Sequence, residues 1–203
     1  MKKTILFGNG FNQLSENPIN WTSLLEKLKK KAFLNNSLPN TMIYERILME
    51  RNGSDKRTYS LEKEIKDEIA NQMLQLESNE HYQMLFDLGC HNYLTTNYDY
   101  AFKNGIINTG YSSHNNSTEG IYSIRRNTSI FNSENKEVCK IWNIHGEINR
   151  PKTIMLGLDH YCGSVGKLDG YIKGKYEFQE NSKSLRVRSI VQKLKDKKYD
   201  EYS

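Results

Sequence analysis

Apolar residues along this 203-residue chain follow two different rhythms. Short runs, Lys3 to Phe7, Asn92 to Thr96 and Val138 to Ile144, read as strands that end at Gly8-Asn9-Gly10, Asn97-Tyr98-Asp99 and His145-Gly146. The first is expected to be a buried strand. Ile121 to Phe131, followed by a polar turn, and Thr153 to Leu156 are two further extended pieces. A three-to-four-residue rhythm governs the rest. Asn20-Trp21-Thr22 offers capping chemistry before Leu24, Leu25, Leu28 and Ala32 on one helical face. Asn35 to Asn40 reads as a loop, and Met42 to Met49 is a second helix ending near Asn52-Gly53. The longest periodic segment runs from Ser60 to about Leu88, with Leu61, Ile65, Ile69, Met73 and Leu76 in phase. Ser60 suits its start, and Gly89 its stop.

Past the second strand, a short helix through Tyr100 and Phe102 is expected to end at Asn104-Gly105. Residues 108–119, rich in Asn, Ser, Thr and Gly, read as an exposed loop. From Asp159 the chain is glycine-punctuated and then helical, closing on a basic amphipathic stretch with Leu185, Val187, Ile190, Val191 and Leu194. Strands and helices alternate, which predicts an α/β domain with a largely parallel sheet. Only three or four strands are evident, where a doubly wound sheet has about six.

Composition narrows the class. Apolar residues make up 36% of the chain, but 22 are aromatic (Tyr 13, Phe 7, Trp 2), enough bulk for a core. No apolar run approaches the roughly 20 residues of a membrane span, and the run behind Met1-Lys2-Lys3 is too short for an export signal. Cys90, Cys139 and Cys162 are an odd number at wide spacing, so they predict buried or half-buried thiols in a reducing cytoplasm and no metal knuckle. Lys and Arg total 29 against 24 acids, a net charge of +5. Much of the excess sits at Lys27-Lys29-Lys30-Lys31 and between Lys183 and Lys198, a pattern that usually marks solvated helix faces. A basic nucleic-acid-binding domain rests on that charge alone, without aromatic-basic interleaving.

Three loops carry candidate chemistry. Gly8-Asn9-Gly10-Phe11-Asn12 follows a strand, where glycines let a phosphate approach backbone N–H groups. The dinucleotide fingerprint wants a third glycine where this chain has Gln13, and a plain turn fits the residues equally well. Thr96, Asn97 and Asp99 stand at a second strand end, where open α/β sheets bind ligands, although an Asn/Asp cap for the next helix explains them too. His145 stands at a third. His81, His91, His114 and His160 compete with it, but only His145 lies between a strongly apolar strand and a glycine.

The order of these motifs, Gly-Asn-Gly-Phe, Thr-Thr-Asn-Tyr-Asp and Ile-His-Gly, resembles the sirtuin-like family over roughly residues 3–172. The match is closer to its divergent bacterial branch, associated with NAD⁺ depletion in anti-phage defence, and Asp159-His160-Tyr161 is similar to that branch as well. The resemblance implies a Rossmann-like parallel sheet flanked by helices, with a helical insertion at about 40–88. The NAD-binding domain would span 1–175, and a basic C-terminal segment 176–203. It implies NAD⁺ as substrate, with Gly8, Gly10 and Phe11 against pyrophosphate and ribose. Asn9 belongs to the same loop, and Asn12 replaces a family Ser or Asp. Asp99 would contact the nicotinamide side or brace the loop, and Thr96 counts among the cofactor-binding residues. Asn97 would hold the nicotinamide ribose or a water, and His145 would be the base on the ribose hydroxyls. The implied reaction is hydrolysis of the nicotinamide–ribose bond.

Protein-deacylating sirtuins carry a four-cysteine zinc module, and this chain has no Cys-x-x-Cys, so no zinc is expected and hydrolysis is favoured over deacylation. Family members continue into further strands after a segment like Asp159 to Tyr171. An incomplete sheet is therefore expected, with a C-terminal or separate regulatory domain and a homo-oligomer as partners the resemblance allows. The alternatives are a truncated, non-catalytic module for NAD or ADP-ribose, a sirtuin-type deacylase and the nucleic-acid-binding domain.

Overall fold

The computed structural model describes residues 2–19, 21–29, 38–52, 58–116, 120–122, 124–180 and 183–186. Asn20, Ala32, Gly53 and the stretch from Val187 to Leu194 lie outside them. The elements, in order, are β1 (Thr4–Phe7), α1 (Trp21–Lys29), α2 (Asn40–Asn52), α3 (Thr58–Met73), α4 (Glu80–Asp87) and β2 (Asn92–Thr95). There follow α5 (Ala101–Asn108), β3 (Ser112–Asn116), β4 (Asn127–Phe131), β5 (Glu137–Asn143), α6 (Leu158–Ile172), β6 (Glu177–Glu180) and β7 (Lys183–Arg186). This is a mixed α/β fold around a five-stranded sheet of order β1-β2-β5-β4-β3.

The sheet is less parallel than the alternation of elements predicts. β1, β2 and β5 run parallel, whereas β4 and β3 add antiparallel. β3 falls in the stretch expected to be a loop. Its side chains are nearly all exposed, so no apolar rhythm betrays it. Pairing comes from the backbone ladder and from polar contacts such as Thr128 Oγ1 to Asn115 Oδ1 at 2.7 Å and Asn116 Nδ2 to Ser129 Oγ at 2.7 Å. Polar side chains suit an edge strand, since they blunt further association. β4 starts only at Asn127, and Ile154 to Leu156 are extended and buried without joining the sheet. Further on, Glu177–Glu180 and Lys183–Arg186 pair antiparallel where the sequence predicts helix.

The long periodic segment divides in two. α3 ends at Met73 and α4 begins at Glu80; between them Asn79 Nδ2 donates to Phe11 O (2.8 Å) and Ser15 Oγ (2.9 Å), tying the connection to the loop after β1. Gly105 does not end α5, which continues to Asn108. It is a packing glycine, for a Cβ there would run into the Ser78 side chain.

Two apolar clusters hold the elements together. One face of the sheet (Ile5, Phe7, Tyr93, Cys139, Ile141) packs on Tyr82 and Leu85 of α4 and on Phe102 and Ile106 of α5. The other cluster joins α1, α2 and α3 through Leu24, Leu28, Ile47, Ile65 and Ile69, and takes in Tyr98, Tyr100, Ile154 and Leu156 from loops beyond the strand ends. Each such fully buried side chain stabilises by about 1.5–3 kcal/mol.

The remaining face of the sheet is open. Contrary to the expectation of a buried strand, β1 lies at the sheet edge, where Thr4 is exposed and Leu6 is 62% exposed. Leu94, Trp142 and Ile144 continue this face and form a groove of about 630 Å³ with Tyr161, Val165 and Leu168 of α6. Cys90 and Cys139 are buried as expected, but Cys162 is exposed on α6. Among the described residues, no helix is long and apolar enough to cross a membrane, and no group of His, Cys, Asp or Glu has metal-site geometry.

Candidate functional site

Register aligns the three loops. Phe7 pairs with Thr95, and Thr95 with Asn143, so the parallel strands end level. The ladder continues one step further, with Thr96 N donating to Phe7 O (3.2 Å) and Ile144 N to Thr95 O (2.9 Å). Gly8 then lies beside Thr96, whose Oγ1 is 3.0 Å from where a Cβ at Gly8 would stand. Asn97 and His145 follow directly on their strands. Carboxyl ends of parallel strands, level and adjacent, are where α/β sheets place ligands.

A cavity of about 190 Å³ opens at this point, lined by Asn9, Ile19, Met73, Thr96, Asn97, Tyr98, Asp99, His145 and Tyr161. Five of the nine residues predicted from sequence therefore share one wall: Asn9, Thr96, Asn97, Asp99 and His145. The alternation along 97–100 explains part of this. Tyr98 and Tyr100 enter the α1–α3 core, and Tyr98 OH donates to Met155 O at 2.5 Å. Asn97 and Asp99, between and beside them, are left to the cavity.

The other four predicted residues do not line it. Gly8 is the close-approach position beneath Thr96, and Gly10 has open space around it. Phe11 stacks on Tyr82 (5.5 Å between centroids, 21°) and meets Phe7 edge-on. Asn12 is fully buried: its Nδ2 donates to Asn9 Oδ1 (2.9 Å) and Asp99 Oδ2 (2.8 Å), while its Oδ1 accepts from Tyr82 OH (2.5 Å). Both residues brace the glycine loop from below.

Asp99 also accepts from Ala101 N at 2.9 Å, a turn bond just ahead of α5. Burial raises its carboxyl above the ordinary value, and the N–H donors of Ala101 and Asn12 recover only part of that. Asn97 differs from its neighbours. Its backbone N–H is held by Thr95 Oγ1 (3.1 Å), but its side-chain Nδ2 is buried and reaches no acceptor at full hydrogen-bond distance, the Tyr82 hydroxyl being the polar group beside it. An orphaned amide donor at a cavity wall is costly unless a ligand group meets it.

His145 is half-buried, and burial lowers its imidazole below the ordinary value, so the neutral base form prevails near pH 7. Its ring meets Tyr161 edge-to-face, with centroids 5.2 Å apart and planes at 83°. The pair forms the partition between the polar cavity and the apolar groove, since both residues line both. Gly146 turns the chain away behind it at φ +103°, and a Cβ there would strike the Thr153 carbonyl.

Several contributors escape a sequence reading. Asn143 Nδ2 donates to Asn97 O (2.8 Å) and Asp99 O (3.2 Å), tying the second loop to β5. A signal for it exists, because Cys139, Ile141 and Asn143 share the buried face of β5 and only the last is polar. Ile19 and Met73 carry no signal, as their place depends on how α1 to α3 pack. Tyr161 lies in the Asp159-His160-Tyr161 motif but has no local mark of a site residue. No protein-family model matches this chain, and no curated protein matches it.

Proposed function

We propose that this chain is a sirtuin-like NAD⁺ hydrolase domain that cleaves the nicotinamide–ribose bond. The observation that carries the reading is the level alignment of the glycine loop, Asn97 and His145 at three adjacent parallel strand ends around one cavity. Carboxyl ends of adjacent parallel strands are where open α/β sheets bind ligands, which supports a nucleotide site here. The motif order adds the family expectation, including a role in bacterial antiviral defence.

The residues present fit such a substrate. At about 190 Å³ the cavity suits the nicotinamide end, with the rest of the dinucleotide running out past Gly8 and Gly10. Open space at Gly10 leaves room for a phosphate to approach the backbone. The Asn97 Nδ2, left without a full hydrogen bond, is the donor offered to a ribose hydroxyl or the attacking water. His145, neutral near pH 7, can take a proton. The net reaction adds water across the bond: oxygen joins the ribose C1′, nicotinamide leaves with the bonding pair, and one proton is released through His145. An oxocarbenium-like transition state needs orientation and water delivery more than a strong nucleophile.

A second reading, a module that binds NAD⁺ or ADP-ribose without turnover, draws on the small cavity and the open sheet face beside it. Incubation with a fluorogenic NAD⁺ analogue separates the two. Turnover that falls about a hundredfold or more in both His145→Ala and Asn97→Ala supports the hydrolase. Turnover surviving both substitutions removes these roles. Saturable binding without turnover favours the module, and steeply salt-dependent binding of DNA or RNA without nucleotide binding favours neither.

A further inference from the structure

A buried charged cluster lies behind the candidate site. On α3, Glu62 and Lys66 are one turn apart and paired at 2.7 Å, and Lys66 is 2% exposed. Glu62 Oε1 also lies 2.8 Å from His160 Nε2, and Lys66 Nζ lies 3.1 Å from that nitrogen and 3.3 Å from Lys152 O. His160 Nδ1 accepts from two backbone donors, Leu156 N at 3.1 Å and Gly157 N at 3.0 Å. A nitrogen that accepts two N–H groups carries no proton of its own. The proton of the neutral ring therefore sits on Nε2 and is donated to Glu62.

The first turn of α6 is held from two sides. From α2, Glu45 Oε1 accepts from Leu158 N at 3.1 Å, and the Tyr44 ring lies 5.7 Å from the His160 ring. A side chain at Gly157 would strike both Tyr44 and Glu45. From α3 come Glu62 and Lys66. Asp159 on the same turn and Tyr122 complete the titratable groups around His160 and its neighbours. A cation at the N-terminus of a helix is also opposed by the helix dipole, which favours the neutral ring. Lys66 Nζ and the protonated Nε2 are both donors, so they are joined through the Glu62 Oε1 that accepts from each.

The next residue is Tyr161, whose ring forms the partition with His145. Successive residues on a helix point about 100° apart. His160 is thus turned into the α2–α3 layer while Tyr161 is turned to the cavity. We propose that Glu62, Lys66 and His160 form a latch that positions Tyr161 against His145, so that the first turns of α3 set the geometry of the candidate base from outside its cavity. This rests on the role given to His145 above, and makes His160 and Glu62 positioning residues.

Two variants cut the latch without leaving a buried charge alone. His160→Asn keeps an acceptor for the Leu156 and Gly157 N–H groups but cannot reach Glu62. The double variant Glu62→Gln/Lys66→Met removes both charges together. Imidazole NMR on the full chain reads His145 directly, and the edge of the Tyr161 ring shifts its resonances. In both variants the His145 signals are expected to move toward those of Tyr161→Ala. The titration midpoint is expected to rise toward the ordinary value of about 6.5 as the ring gains solvent. NAD⁺ turnover is expected to fall about ten- to a hundredfold with KM little changed. Variants that stay folded by circular dichroism but leave the His145 signals and midpoint as in the wild type overturn the latch. Shifted signals in a chain that never turns over NAD⁺ uphold the latch and remove the hydrolase reading instead.

Discussion

Asn12 Nδ2 donates to Asp99 Oδ2 at 2.8 Å, joining the loop after β1 to the loop after β2 across 87 positions of sequence. The bond is buried, and Tyr82 from α4 closes it from the other side through the Asn12 carbonyl. Two strand-end loops thereby become one rigid wall, and the polar groups that line the cavity are held from beneath.

Burial of the Asp99 carboxyl makes stability depend on pH. In the folded chain the Asp99 carboxyl lies above its ordinary value, so between the two values the folded state holds more protons than the unfolded. Stability from this group therefore falls as pH rises from about 4 through the raised value, then levels off. Asp99→Asn keeps an acceptor for Ala101 N but sets an amide against Asn12, costing about 1 kcal/mol. The margin of wild type over Asp99→Asn in urea unfolding should be largest near pH 4 and shrink toward pH 7. A margin that widens with pH would contradict the burial of this carboxyl.

Neighbouring residues of β1 should respond in opposite ways. Phe7 is 8% exposed and packed among Phe11, Tyr82 and Phe102, whereas Leu6 is 62% exposed on the open face. Phe7→Ala is expected to cost about 3–5 kcal/mol, and Leu6→Thr to stay within about 0.5 kcal/mol. Chemical denaturation of both variants tests this, and a large loss in Leu6→Thr would mean that something covers this face.

Two glycines should separate folding from binding. Gly146 has φ +103° with the Thr153 carbonyl against it, so Gly146→Ala should lose about 1–3 kcal/mol and disturb His145. Gly10 has open space at the Cβ position, so Gly10→Ala should unfold at nearly the wild-type temperature. Under the proposed function, its methyl would narrow the approach to the backbone and weaken NAD⁺ binding several-fold. Thermal melts and a nucleotide titration separate the two effects.

Much of this arrangement can be read along the chain. β1, β2 and β5 stand out because apolar runs ended by Gly, Asn or His are local signals, and the three site loops follow from them. β3 is invisible because an exposed edge strand pairs through its backbone and needs no apolar side chains. The break between Met73 and Glu80 is hidden for another reason: the groups that hold Asn79 there, Phe11 O and Ser15 Oγ, come from the far end of the chain.

By itself, the sequence determines where strands end and which polar residues stand at those ends, since periodicity and turn chemistry act over a few neighbouring residues. Only the tertiary structure decides what each of those residues does. Asn12 and Asp99 become a buried brace, Asn97 keeps an unsatisfied donor beside the cavity, and His145 meets Tyr161. Burial and partnering depend on segments tens of residues away, brought close by the register of the sheet and the packing of α3 and α6. That physical dependence on distant contacts, rather than any weakness of the local pattern, separates the loops that can be read from the site they form.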